Sequence, residues 1–212
     1  MILRFITDFH AGGKNALGTF DDLCYVLKES SHPCVYLGDN VEVINSYKKD
    51  TARAREQLLL IRNYFISRKM PFVLGNHEGD AVLAANFAYV DEERTILVTH
   101  SDIWQWGAVK AFAFRNKTQG VGWFKYNVLV PVVDNARHLL TVRPNENLIT
   151  EIRREKQKNP NLKVLFMGHS HPDENVIFWV DGVLCVILKR GVHDIDVKAF
   201  MESGNLFAVQ KP

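Results

Sequence analysis

The chain has 212 residues, enough to bury a substantial core as one domain, and its 47% hydrophobic and 24% charged residues are ordinary for a globular protein. A formal net charge of +2 is too small to argue for nucleic acid by itself. The three cysteines, Cys24, Cys34 and Cys185, are odd in number and lack CxxC spacing, which argues against a disulfide scaffold or a cysteine zinc site. Reduced thiols in a cytoplasm-like compartment are therefore expected. The opening apolar run is too short, and too soon charged, for a signal peptide. No stretch approaches the roughly 20 apolar residues of a spanning helix, which leaves peripheral membrane contact open.

In chain order, Ile2 to Thr7 reads as a buried strand stopping at Asp8. Phe20 to Glu29 places Phe20, Leu23, Cys24 and Leu27 at helical spacing. Pro33 opens a second strand, Cys34 to Leu37, ending at Gly38-Asp39. Thr51 to Arg68 is rich in helix formers, with Leu58, Leu59, Ile61, Phe65 and Ile66 on its apolar side. Pro71 opens Phe72 to Leu74, which runs into Gly75-Asn76-His77-Glu78, and a helix is expected next. Thr95 to Thr99 is a β-branched strand ending at His100. Strands alternating with helices, each ending in a polar cluster, predict an α/β domain with its site along one edge.

The segment from Ser101 to Pro160 breaks this rhythm. It holds Trp104, Trp106 and Trp123 together with Lys110, Arg115, Lys117 and Lys125, and reads as a helical lid or insertion within one domain spanning residues 1–212. Asn147 to Lys158 inside it reads as a charged, solvent-facing helix. Lys163 to Met167 is a strand ending at Gly168-His169-Ser170-His171. Val176 to Val180 and Val183 to Leu188, joined by Asp181-Gly182, read as a hairpin. A final strand pair is expected around Ile195 to Phe200 and Leu206 to Val209.

Five clusters hold the residues that can carry chemistry: Asp8-Phe9-His10, Gly38-Asp39-Asn40, Gly75-Asn76-His77-Glu78, Thr99-His100-Ser101 and Gly168-His169-Ser170-His171. Carboxylates, an amide oxygen and imidazoles suit Mn, Fe or Zn better than Ca or Mg, which prefer all-oxygen shells. On an extended backbone, residues i and i+2 face the same way, so Asp8 with His10, and His169 with His171, are expected to present ligands in pairs. Each cluster alone has a bland reading: a loop coincidence for Asp8-Phe9-His10, a satisfied core histidine for His100. Their joint order after successive strands does not.

That order, Asp-x-His, Gly-Asp, Gly-Asn-His-Glu, His and Gly-His-x-His, resembles the calcineurin-like metallophosphoesterase family over positions 8 to 171. The resemblance implies two facing β-sheets flanked by helices, a four-layer sandwich with two divalent metal ions at the strand ends. It implies one ion held by Asp8, His10, Asp39 and His171, and another by Asp39, Asn76, His100 and His169, with Asp39 bridging. His77 resembles the family histidine acting on the phosphate or leaving group. Manganese is the expected metal, with iron or zinc as alternatives. The implied reaction is hydrolysis of a phosphomonoester, phosphodiester or pyrophosphate by activated water.

In two places the chain departs from the commoner family pattern: Glu42 stands four residues after Gly38 without a following arginine, and Glu78 replaces the commoner aspartate. The insertion before Gly168-His169 is similar in arrangement to that of the UDP-2,3-diacylglucosamine pyrophosphohydrolases, although those carry Gly-Asn-Arg-Asp where this chain has Gly75-Asn76-His77-Glu78. A phosphate-containing small molecule or lipid-linked substrate is the expected partner, with Arg115 and Lys117 near its phosphate oxygens. Two other readings stand beside this one: a metal-binding scaffold of the same fold without activity, and a nucleic-acid phosphodiesterase using Lys48, Lys49, Arg53 and Arg55. The expected location is cytoplasmic or at a membrane surface.

Overall fold

A computed structural model describes residues 1–13, 15–43, 51–78, 87–106 and 144–204. In chain order these form β1 (Ile2–Thr7), α1 (Phe20–Lys28), β2 (Cys34–Leu37), α2 (Thr51–Ser67), β3 (Phe72–Val73), β4 (Phe87–Tyr89) and β5 (Ile96–Thr99). There follow α3 (Asp102–Trp106), α4 (Glu146–Lys158), β6 (Val164–Met167), β7 (Val176–Val180), β8 (Val183–Ile187), β9 (Gly191–Asp196) and α5 (Val197–Ser203).

Two sheets result, one ordered β3-β2-β1-β9 and the other β4-β5-β6-β8-β7. β1, β2 and β3 run parallel, as do β5, β6 and β8, whereas β9, β4 and β7 are antiparallel edges. The apolar runs explain the stacking. Side chains alternate across a strand, so a run with no polar residue must bury both faces. In β1 and β2, Leu3, Phe5, Val35 and Leu37 face inward and meet Ile96, Val98, Val164, Phe166, Leu184 and Val186 of the second sheet. Phe5 and Phe166 touch across the middle with ring centroids 4.4 Å apart.

The opposite faces meet helices. Ile6, Cys34 and Tyr36 pack with Leu23 and Leu27 of α1 and Leu58, Ile61 and Phe65 of α2. Leu97, Leu165, Met167, Cys185 and Ile187 pack with Leu148 and Ile152 of α4 and Trp104 of α3. The order helix, sheet, sheet, helix is thus a four-layer α/β sandwich. α1 is fixed at its start by a capping box: Thr19 Oγ1 accepts from Asp22 N–H at 3.2 Å, and Asp22 Oδ2 accepts from Thr19 N–H at 2.7 Å.

Several expectations need revision. Val197–Ser203 is a helix, and the strand before it is Gly191–Asp196, paired antiparallel with β1 from Ile2↔Asp196 to Thr7↔Gly191. Asp196 ends the strand and starts the helix, its carboxylate accepting from the N–H groups of Lys198 and Ala199. The expected partner strand, Leu206 to Val209, lies outside the described residues, as does the start of the helix expected after Glu78. β4 was not anticipated. α4, expected to face solvent, buries Leu148 and Ile152 against the second sheet while its charged side stays in water. Of the expected 101–160 insertion, residues 107–143 lie outside the described residues, Arg115 and Lys117 among them.

Candidate metal centre

Every parallel strand of both sheets ends at the same edge, and the five clusters stand there: Asp8 and His10 after β1, Asp39 after β2, Asn76 and His77 after β3, His100 after β5, and His169 and His171 after β6. Three groups of donors converge, each with ligand atoms within 4.8 Å of one another: Asp8, His10 and His171; Asp39, His100 and His169; and His10, Glu42 and His77. Asn76 joins the second group, its Oδ1 3.2 Å from His100 Nε2.

The pairing of neighbours is not that of extended strands. Asp8, His10, Asp39, His169 and His171 all have φ between 44° and 78°, in the left-handed region that costs a non-glycine residue energy. This curl brings Asp8 and His10 into one group and sends His169 and His171 into different ones, the same division between two ions that the family resemblance implies. Two glycines make the close approach feasible. Gly38 takes φ 84° against the His100 ring, and a methyl group on Gly75 would fall 2.1 Å from Asp39 Oδ1.

Hydrogen bonds select which atom each side chain offers. His100 Nδ1 donates to the carbonyl of Leu37 at 3.0 Å, leaving Nε2 to face Asp39 and Asn76. His10 Nδ1 and His77 Nδ1 both donate to Glu42 Oε2, at 3.0 and 2.9 Å. His10 thereby keeps Nε2 on the side of His171, whose Nε2 is 3.4 Å away. Asp8 is held by Thr7 Oγ1 at 2.5 Å, the His169 N–H at 3.2 Å and His171 Nε2 at 2.8 Å. Asp39 Oδ1 accepts from the His77 N–H at 2.7 Å.

Asp39 Oδ2 is different. It is buried and accepts no hydrogen bond; His100 Nε2 lies 3.0 Å from it, near enough for charge attraction but without hydrogen-bond geometry. A buried carboxylate oxygen left without a donor is costly, and a cation among these hard and borderline donors would remove the cost. The site therefore fits divalent metal on its own geometry.

Charges within the metal-free chain point the same way. Burial disfavours ionisation of Asp39, yet His100 and His77 hold it well below the usual carboxylate range. Glu42 is likewise opposed by burial but lowered to about 2 by His77 and His10. Burial opposes charge on His77, and Glu42 and Asp39 outweigh it, raising the imidazole to about 9. His100 is raised to about 10 by Asp39 and Asp8 against the same opposition. His169 is pushed well down by burial and by the charge on His100, leaving it neutral and able to bind an ion.

Glu42 is marked in the sequence as a departure from the family pattern but was assigned no role at the site; the signal for one was an acid flanked by two core valines, Val41 and Val43. Residue-by-residue reading of the sequence missed Arg190, at the end of β8, whose Nε donates to the Asp8 carbonyl at 3.1 Å and whose Nη2 donates to that of Asn15. No linear motif marks Arg190; only the strand order brings it to this edge.

A two-sheet sandwich with mixed carboxylate, amide and imidazole donors at its strand ends defines a metallohydrolase class of site. A family model for the calcineurin-like phosphoesterases matches residues 1–195, and the chain belongs to that family. Membership implies metal-dependent hydrolysis of phosphoesters. No curated protein matches the chain in a sequence search. No helix among the described residues is long and apolar enough to cross a membrane.

Proposed function

We propose that the chain hydrolyses a phosphate ester or anhydride with two divalent ions, one on Asp8, His10, Asp39 and His171, the other on Asp39, Asn76, His100 and His169. The observation that carries this reading is the convergence of three donor groups at one edge, one of them holding a buried Asp39 oxygen that lacks a hydrogen bond. When bound, the ions supply Lewis acidity toward phosphate oxygens and a nucleophilic water at neutral pH.

The chain's own residues do the rest. Asp39, as the ligand proposed to be shared, would fix the separation of the two ions. His77 gives its Nδ1 proton to the bond with Glu42, so Nε2 is the atom left to meet the leaving-group oxygen. In its protonated form His77 would hand its Nε2 proton to the departing oxygen as the P–O bond breaks. Glu42 keeps the imidazole charged and aimed. Water attacks directly, since no activated Ser or Cys stands among the clusters.

Arg115 and Lys117 are proposed to bind the phosphate of the substrate from the insertion. A lipid-linked pyrophosphate is one substrate class that the aromatic and basic composition of this insertion suits. Manganese is the proposed ion.

Metal-stripped protein assayed on p-nitrophenyl phosphate and bis-p-nitrophenyl phosphate tests the reading. Turnover is expected on adding manganese, with Asp39→Ala and His77→Ala each losing about 100-fold or more in kcat, the scale of a lost charge-stabilising or proton-transferring group. Equal rates with and without metal, or an active Asp39→Ala, would refute it.

A further inference from the structure

Glu78 belongs to none of the donor groups found among the described residues, yet it is almost wholly buried beside them. Its Oε1 accepts from the backbone N–H groups of Asn40 at 2.9 Å and Val41 at 3.3 Å, and from the hydroxyl of Tyr36. Its Oε2 accepts from the Gly75 N–H at 2.8 Å. One carboxylate thus ties the loop after β2 to the loop after β3.

Asn40 extends the tie to a third loop. Its Oδ1 accepts from the Phe9 N–H at 3.1 Å, and its Nδ2 donates to the Ile6 carbonyl at 2.9 Å. Three of these anchor points lie next to a proposed ligand: Asn40 follows Asp39, Gly75 precedes Asn76, and Phe9 separates Asp8 from His10. The sheets do not need this link to pair, because their ladders and apolar faces are complete without it. The loops do need it, since those after β1 and β2 hold Asp8, His10 and Asp39 in left-handed conformations that must be fixed from outside.

We infer that Glu78 and Asn40 form a positioning relay that sets the distance between the two proposed ion sites by locking three strand-end loops together. The inference rests on the dinuclear reading above. Both carboxylate oxygens accept, so an amide in its place keeps the shape but turns an NH2 toward a donor and loosens one end of the lock. Neither residue contacts the reacting atoms; each acts through Asp39, Asn76, Asp8 and His10.

Glu78→Gln and Asn40→Ala, with Tyr36→Phe as a milder third variant that removes one donor and keeps the carboxylate, provide the test. Thermal midpoint, manganese affinity by calorimetry, and kcat and KM on bis-p-nitrophenyl phosphate are read on each. Folded variants are expected to bind manganese about 10-fold or more weakly, and at saturating metal to lose about 10–100-fold in kcat, with KM within about threefold of the parent. If Glu78→Gln does not fold, Asn40→Ala and Tyr36→Phe carry the same expectation, Tyr36→Phe with the smaller loss. Unchanged manganese affinity and kcat, with only a lower midpoint, would overturn the relay and leave the dinuclear reading standing. Unaltered protein that binds no manganese would overturn both.

Discussion

Glu42 accepts from two imidazoles at once, and its consequences appear in the pH dependence of the metal-free protein. Folding lowers Glu42 from 4.5 to about 2 and raises His77 from 6.5 to about 9. The carboxylate's contribution is present above its unfolded value and is lost as pH falls toward about 2. The imidazole's contribution is complete below 6.5 and is lost as pH rises through about 9. Both therefore act together between 4.5 and 6.5. Chelator-treated protein and its Glu42→Gln variant should differ most in thermal midpoint across that window, and the gap should shrink by pH 9 to 10; a gap of constant size from pH 5 to 10 would contradict the pairing. Much of the site at this scale is legible in the sequence, because ligands adjacent to strand ends carry their own spacing. Glu42, Asn40 and Glu78 are not, because their partners are side chains and backbone groups of other segments, which no linear pattern reveals.

At the scale of elements, the readable segments were those with one dominant signal. β2, β5, β6 and β8 are apolar runs leading to a polar cluster, β1 is one interrupted by Arg4, and α1 has its capping box. The C-terminal region misled because Val197, Phe200 and Met201 look like strand residues, while the decision between strand and helix rests on Asp196. Its carboxylate caps α5, Gly204 closes the helix in the left-handed conformation, and Val197 and Phe200 then point into the core between the sheets. Asp196→Ala should accordingly lower the thermal midpoint by about 2–4 °C, the scale of a lost helix cap in a chain of this size. Catalysis should not change, since α5 lies at the opposite end of β1 from Asp8: Val197 N–H donates to the Met1 carbonyl at 3.0 Å. An unchanged midpoint would mean that packing of Phe200 alone specifies the helix. β4 was invisible for another reason. Three partly exposed residues at an antiparallel edge give neither an apolar run nor a turn signature.

Across the whole molecule, two parallel strand sets aimed at one edge place five loops around a single centre while the opposite end is closed by α5 and the chain start. The sandwich is held by three apolar layers, between the sheets and under each helical face, so the edge can bear left-handed ligand residues and a buried, unsatisfied Asp39 oxygen without loss of the fold. This division of labour accounts for a strained edge built on a conventional core, and it makes metal binding the event that completes the site. The most direct test is anomalous diffraction from crystals grown with manganese. The account predicts two peaks sharing Asp39, one among Asp8, His10 and His171 and the other among Asn76, His100 and His169. A single peak, or peaks away from Asp39, would contradict a dinuclear centre.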